Sequence, residues 1–381
     1  MIDITGIDDL AGDLLTGPRG RRLLSALVDE ATGGEPWAWP AREHDGAPLS
    51  EPLPEPLTAV VRERLERAVA AVDLDALGAR TDPRGLLPAF AESVGAARYW
   101  QDPDAEDRAL ADPGVAGALR PVARAVAGSA AAAWWSDPVD LAAQQHLTWR
   151  FEGRDGYRPI RTAVPGAAAE ALRRWRSDAD LDEERWRVEL PRDHRVSGTW
   201  WSTPPHGPEL PMTTPVVTGG LPVGTALVED EAGVEEVDAR ALRLRDGLRV
   251  AEVHDARAWC DLVAAHPRSV TFTRRHDWWE ATGWDGAWVL PDWASVAREW
   301  DGVHLSARGY LAVSGRLLET TVGGDVVGPD TAGVRPGPAR TLLAGWGPGR
   351  THWLTDAVED VGDPVRWRSD GDHPPRWAPA G

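Results

Sequence analysis

Between Thr271 and Tyr310 the sequence TFTRRHDWWEATGWDGAWVLPDWASVAREWDGVHLSARGY gathers many side chains able to do chemistry. Arg274, Arg275, His276 and Asp277 stand in a row, and Asp301 and His304 follow. Trp278, Trp279, Trp284, Trp288, Trp293 and Trp300 are interleaved with them, out of 21 tryptophans in the chain. Indole rings stack on planar ligands, a sugar or a base, while guanidinium groups hold anions. Read this way, Trp279 offers a stacking surface, Arg274 and Arg275 an anion clamp, and His276 and His304 are further candidate pocket residues. On a strand, Trp278 and Trp279 point to opposite faces, so one of the two faces solvent or a ligand. Trp293 and Trp300 are seven apart on one helix and share its inner face, which makes them core. Metal binding is not expected. Short His spacings and an H-E-x-x-H motif are missing, and adjacent strand residues such as His276 and Asp277 do not readily ligate one ion.

A second pattern lies upstream. Trp200-Trp201-Ser202-Thr203-Pro204 resembles the aromatic-x-S-T strand of the Arg–Ser–Glu type of ADP-ribosyltransferases. Arg150 in LTWRFEG precedes it, and Glu229-Asp230-Glu231, an E-x-E, follows in the order that family uses. Pro204 stands where the usual triplet has a second serine. The resemblance implies NAD as cofactor, with Arg150 on its phosphates and Trp201, Ser202 and Thr203 shaping the nicotinamide pocket. It implies Glu231 as the catalytic carboxylate, supported by Glu229. The chemistry is coherent, because a guanidinium pairs bidentately with pyrophosphate and a carboxylate stabilises positive charge developing at the ribose. The expectation is NAD-dependent ADP-ribosyl, or related glycosyl, transfer. The alternative is a non-catalytic protein whose acidic, Trp-rich face binds a basic protein partner or a small planar ligand.

Composition narrows the field. All 41 basic residues are arginine, and lysine and asparagine are missing altogether, the usage of a very GC-rich genome of actinobacterial type. Without lysine there is no Schiff-base chemistry and no P-loop. A net charge of −19 opposes binding to long nucleic acid. The one cysteine, Cys260, rules out an internal disulfide framework and a Cys-based zinc site. An acidic N-terminus and the lack of a long apolar run predict a cytoplasmic protein, not a membrane protein. No G-x-S-x-G elbow appears, and the glycine-rich stretches GVRPGPAR and GWGPGR lack the setting of a phosphate loop.

The elements that must position these residues fall into two kinds. Up to residue 145, leucine, valine and alanine recur at helical spacing, with a proline-rich loop from Pro36 to Pro56 and a strong amphipathic helix over Leu57–Leu77. This predicts a mainly helical domain over 1–145. From 146 to 360 short alternating runs predict a Trp-rich α+β domain, and 361–381 a loosely packed tail. Strands are expected at Leu147–Phe151, Arg185–Leu190, Val196–Ser202, Thr225–Glu229, Leu248–His254, Val270–Thr273, Ala287–Leu290, Val303–Leu305, Arg340–Ala344 and Thr351–Leu354. Ala167–Trp175 reads as a helix, and Asp255 and Asp292 as helix caps. The fold class expected is α+β.

Overall fold

Aspartates and prolines punctuate the first third of the chain and set its helices. Among residues 4–33, 36–44, 51–150, 164–190, 197–229, 235–322, 337–371 and 375–380, which the computed structural model describes, the helices run in order. They are α1 (Ile4–Thr16), α2 (Pro18–Thr32), α3 (Glu55–Ala70), α4 (Leu74–Gly78), α5 (Leu87–Gly95), α6 (Ala105–Ala111), α7 (Pro113–Ala118) and α8 (Arg120–Ala127). The side chains of Asp73, Asp104 and Asp112 accept hydrogen bonds from the first turns of α4, α6 and α7. The long amphipathic run expected over Leu57–Leu77 therefore breaks at residues 71–73, where Asp73 opens a new helix. Arg19 and Arg22 on the buried side of α2 pair with the acidic first turn of α6. Arg22 Nη1 lies 2.9 Å from Asp104 Oδ2, and Arg19 pairs with Asp107.

The rest of the chain is mixed: β1 (Gln145–Arg150), α9 (Ala167–Glu189), β2 (Met212–Thr213), β3 (Val216–Val217), β4 (Leu221–Pro222), α10 (Val223–Ala226), β5 (Glu236–Leu244) and β6 (Val250–Val253). There follow α11 (Ala256–Ala265), β7 (Pro267–Ser269), α12 (Thr271–Thr282), β8 (Val289–Pro291), α13 (Trp293–Val296), β9 (Gly302–Leu305) and α14 (Ala307–Val313). The chain closes with β10 (Leu318–Val322), β11 (Gly337–Thr341), β12 (Thr351–Trp353), β13 (Val358–Ser369) and β14 (Trp377–Pro379). One four-stranded sheet, β1-β5-β13-β14, is antiparallel throughout. The other, β2-β12-β9-β6, is antiparallel except for the parallel pair β6–β9. A parallel pair needs a long crossover, and residues 254–301 supply it. The Trp-rich stretch is thus mostly the connection between β6 and β9. The fold is α+β, with a helical N-terminal region and a Trp-rich sheet region.

Several expected strands are helical or differently paired. Arg185–Leu190 lies at the end of α9, where Arg185 with Glu189 and Arg187 with Glu184 form pairs at helical spacing. The expected strand Thr225–Glu229 instead begins in the last residues of the helical turn Val223–Ala226. Residues 197–202 pair with no strand as a ladder, and Val196 lies outside the described residues, as does Phe151. Val270–Thr273 opens α12, so His276, Asp277, Trp278 and Trp279 sit on a helix. Within 361–381, expected as a loosely packed tail, most of β13 and all of β14 extend the β1-β5 sheet. Trp367 and Trp377 are buried there, and Arg366 and Arg368 reach across to Asp238 and Glu236.

One hydrophobic cluster runs through both regions, from Leu10 and Leu14 through Phe90 and Trp135 to Tyr310, Trp346 and Trp377. Phe90 meets the rings of Trp135 and Tyr310 at 5.5 and 6.2 Å. The bend at Gly17 packs so closely on this junction that an added Cβ would lie 1.8 Å from the Leu311 carbonyl oxygen in α14. Trp259, Trp293 and Trp346 form a buried trio with centroids 6.0 to 6.5 Å apart. Such edge contacts contribute about 0.5–1.5 kcal/mol each beyond burial. Among the described residues no helix is long and apolar enough to cross a membrane.

Candidate functional site

A groove of about 710 Å³ opens between α9 and the segment 199–210, with β7 and the first turn of α12 on the facing wall. Its volume is that of a small-molecule or cofactor site. From α9 it takes Trp175, Asp178 and Asp182, which share one helix face at spacings of three and four. Trp201, Thr203 and His206 come from the loop, and Arg268 and Arg274 from β7 and α12. Trp201 is exposed at the rim.

The wall opposite α9 is held by a buried carboxylate. Val270 precedes α12 and gives it no side-chain cap. Glu183 of α9 does so instead, across the domain: Oε1 accepts from the amide of Phe272 at 2.7 Å, and Oε2 from the amide and hydroxyl of Thr273 at 3.0 and 2.8 Å. A negative charge at a helix N-terminus meets the positive end of the dipole. Burial raises the Glu183 carboxyl, against these hydrogen bonds. Gly283, in the left-handed region at φ 73°, ends the helix.

Two guanidinium groups stand on that wall. Arg268 is 2% exposed, pairs with Asp180 at 2.7 Å through Nη2 and lies 5.5 Å from the centroid of Trp175. Its Nη1 has no hydrogen-bond partner among the described residues. Arg274 donates from Nε to the Trp201 carbonyl at 3.0 Å and from Nη1 to the Thr273 hydroxyl at 3.1 Å. Burial brings its pKa down to about 10; Glu183 and Asp277 oppose the shift, and the like charge of Arg268 adds to it. His206 is held below the usual imidazole range by burial and by Arg350. It lies 5.9 Å from His352, whose ring nitrogens both lack partners among the described residues and whose pKa burial pushes far down.

The residues singled out in the sequence are distributed over the molecule. Trp201, Thr203 and Arg274 line the groove. Ser202 lies between the first two and faces inward: it is fully buried, its Oγ donates to the Ala344 carbonyl at 3.1 Å and accepts from the Ala344 amide at 2.9 Å. Arg150 ends β1 in the antiparallel sheet and pairs with Asp238 at 3.1 Å. Neither Arg150 nor Ser202 is part of the groove lining. Glu229 accepts from the Tyr99 hydroxyl at 2.9 Å in a buried cluster that also includes Tyr310, and burial raises its carboxyl. Glu231 and Asp230 lie outside the described residues.

In the Trp-rich stretch, Arg275 and His276 are buried, with the His276 ring 6.0 Å from Trp186. His304 is buried on β9 with Nδ1 2.8 Å from the Thr351 hydroxyl. Trp278 is fully buried and donates to the Trp200 carbonyl at 2.7 Å, while Trp279 is half-buried. Among the described residues no group of three or more His, Cys, Asp or Glu side chains could hold a metal ion.

Sequence reading missed Trp175, Asp178, Asp182, His206 and Arg268. The first three carried a signal: carrying the helix at Ala167 past Trp175 puts them on one face. Arg268 carried none, because its role depends on α9 packing over β7. No family model, no curated protein and no solved structure matches this chain.

Proposed function

We propose that the protein binds a small planar ligand in the groove between α9 and the segment 199–210. The observation that carries this reading is the pairing of an exposed Trp201 at the rim with Trp175 on the helical wall of one cofactor-sized groove. An exposed indole on a soluble surface loses contact with water when a flat ring stacks on it, a gain of about 1–3 kcal/mol per stacked base by alanine substitution. The test is calorimetric titration of the full chain with 3-methylindole, against a Trp201→Ala variant. The expected result is saturable binding to the wild type and its loss in the variant, with the melting temperature almost unchanged. Equal binding by both proteins, or none by the wild type, would sink the reading.

A second reading is NAD-dependent ADP-ribosyl transfer. It is favoured by one observation, that Trp201 and Thr203 of the W-S-T run both line the groove. Here the ligand would be NAD, its nicotinamide beside Trp201 and Thr203, with Glu231 as the catalytic carboxylate. Incubating the purified protein with NAD and following nicotinamide release tests it. Turnover that falls at least about a hundredfold in Glu231→Gln supports it; equal release by the two proteins removes Glu231 from the chemistry.

A further inference from the structure

The groove lining mixes charges, with Arg174 and Glu183 on α9 and Glu209 on the loop among them. Asp178 and Asp182 stand on the α9 side, Arg268 and Arg274 on the β7–α12 side. Carboxylates near the two arginines are already committed. Both oxygens of Glu183 cap α12, and Asp180 takes only Nη2 of Arg268. Arg274 meets a carbonyl and a hydroxyl. A guanidinium nitrogen that is buried and unpaired is costly, about 1–3 kcal/mol or more for a charged group, and an anion at that wall would relieve the cost.

We infer that the β7–α12 wall is an anion subsite, and that the groove's ligand is a planar ring bearing a single carboxylate held by Arg268 and Arg274. With Arg268 Nη2 on Asp180 and Arg274 Nε and Nη1 on Trp201 and Thr273, each guanidinium has one terminal nitrogen left for a carboxylate oxygen. A single negative charge fits better than a dianion, since a second would face Asp178 and Asp182 across the groove. Trp175 and Trp201 cover the ring. This inference rests on the groove being a ligand site, and the experiment separates the two.

The full chain is titrated at low salt with indole-3-acetate, with 3-methylindole as the same ring lacking the carboxylate, and with inorganic phosphate. The expected result is at least about tenfold tighter binding of indole-3-acetate than of 3-methylindole. Arg274→Gln and Arg268→Gln should each abolish that preference, so that the acid and the neutral ring bind with equal affinity. If Arg268→Gln does not fold, judged by circular dichroism, Arg274→Gln decides, because its side chain is partly exposed. Equal affinity for the acid and the neutral ring, or a preference that survives Arg274→Gln, overturns the anion subsite while the groove still binds ligand. Phosphate displacing indole-3-acetate at matched concentration overturns the carboxylate assignment. Binding of neither probe overturns the groove reading as well.

Discussion

The hydroxyl of Ser202 lies between the amide and the carbonyl of Ala344, buried, and so ties the loop wall of the groove to the core. Ser202→Ala leaves a buried amide without its acceptor, so a loss of about 1–3 kcal/mol in denaturant unfolding is expected. Unchanged stability would show that the hydroxyl has work elsewhere. His304 makes a prediction about pH. Burial lowers its pKa to about 4, against 6.5 in the unfolded chain. The unfolded state therefore binds the extra proton between these values. The stability of neutral His304 is complete above about pH 6.5 and is lost as pH falls toward 4, by about 3 kcal/mol at most. Glu106 runs the other way. Burial raises it to about 7, so its carboxyl favours the fold as pH falls through that range. The readout is therefore a difference: the wild type minus His304→Gln should lose stability from pH 7 to pH 4. A flat difference would mean that His304 is reached by water and titrates normally.

At the scale of elements, α12 shows how local preference is overruled. Its opening residues, Val270 to Thr273, are β-branched or aromatic and read as a strand, since those side chains fit a pleated surface. They form a helix because Glu183, some ninety residues earlier, supplies the cap that Val270 cannot. Glu183→Ala should cost about 1–2 kcal/mol, at the high end of cap loss, and should speed amide exchange over residues 271–275. Glu183→Gln, which keeps one acceptor, should fall between. If exchange in that turn is unaltered by Glu183→Ala, the cap is not what holds the helix. The same logic explains α9. Its charged second half alternates enough to suggest a strand, yet its Arg–Glu pairs at three and four residues settle it as helix and place Trp175, Asp178 and Asp182 together. By contrast Asp255 and Asp292 cap α11 and α13 as expected, because a cap is a local signal.

Over the whole molecule, the division at residue 145 separates a helical region from a mixed one but does not separate cores. A single cluster joins α1, α2 and α5 to α14, and Arg308 of α14 pairs with Asp13 of α1 at 2.6 Å. Scanning calorimetry should accordingly show one cooperative transition for both regions; two resolved transitions would mean that the shared core does not couple them. The sequence by itself determined the α+β class, a helical region ahead of a mixed one, and the local caps. Each of these follows from composition or from residues within a few positions of one another. Only the tertiary structure decided which side chains share the groove. Trp201 and Thr203 enter it and Ser202 turns away because Ala344 holds it, while Arg150 is drawn off to Asp238. Arg268 is left with a bare nitrogen because α9 packs over β7, leaving Asp180 to satisfy only half its fork. Those outcomes depend on contacts between residues far apart in the chain, which no spacing rule contains.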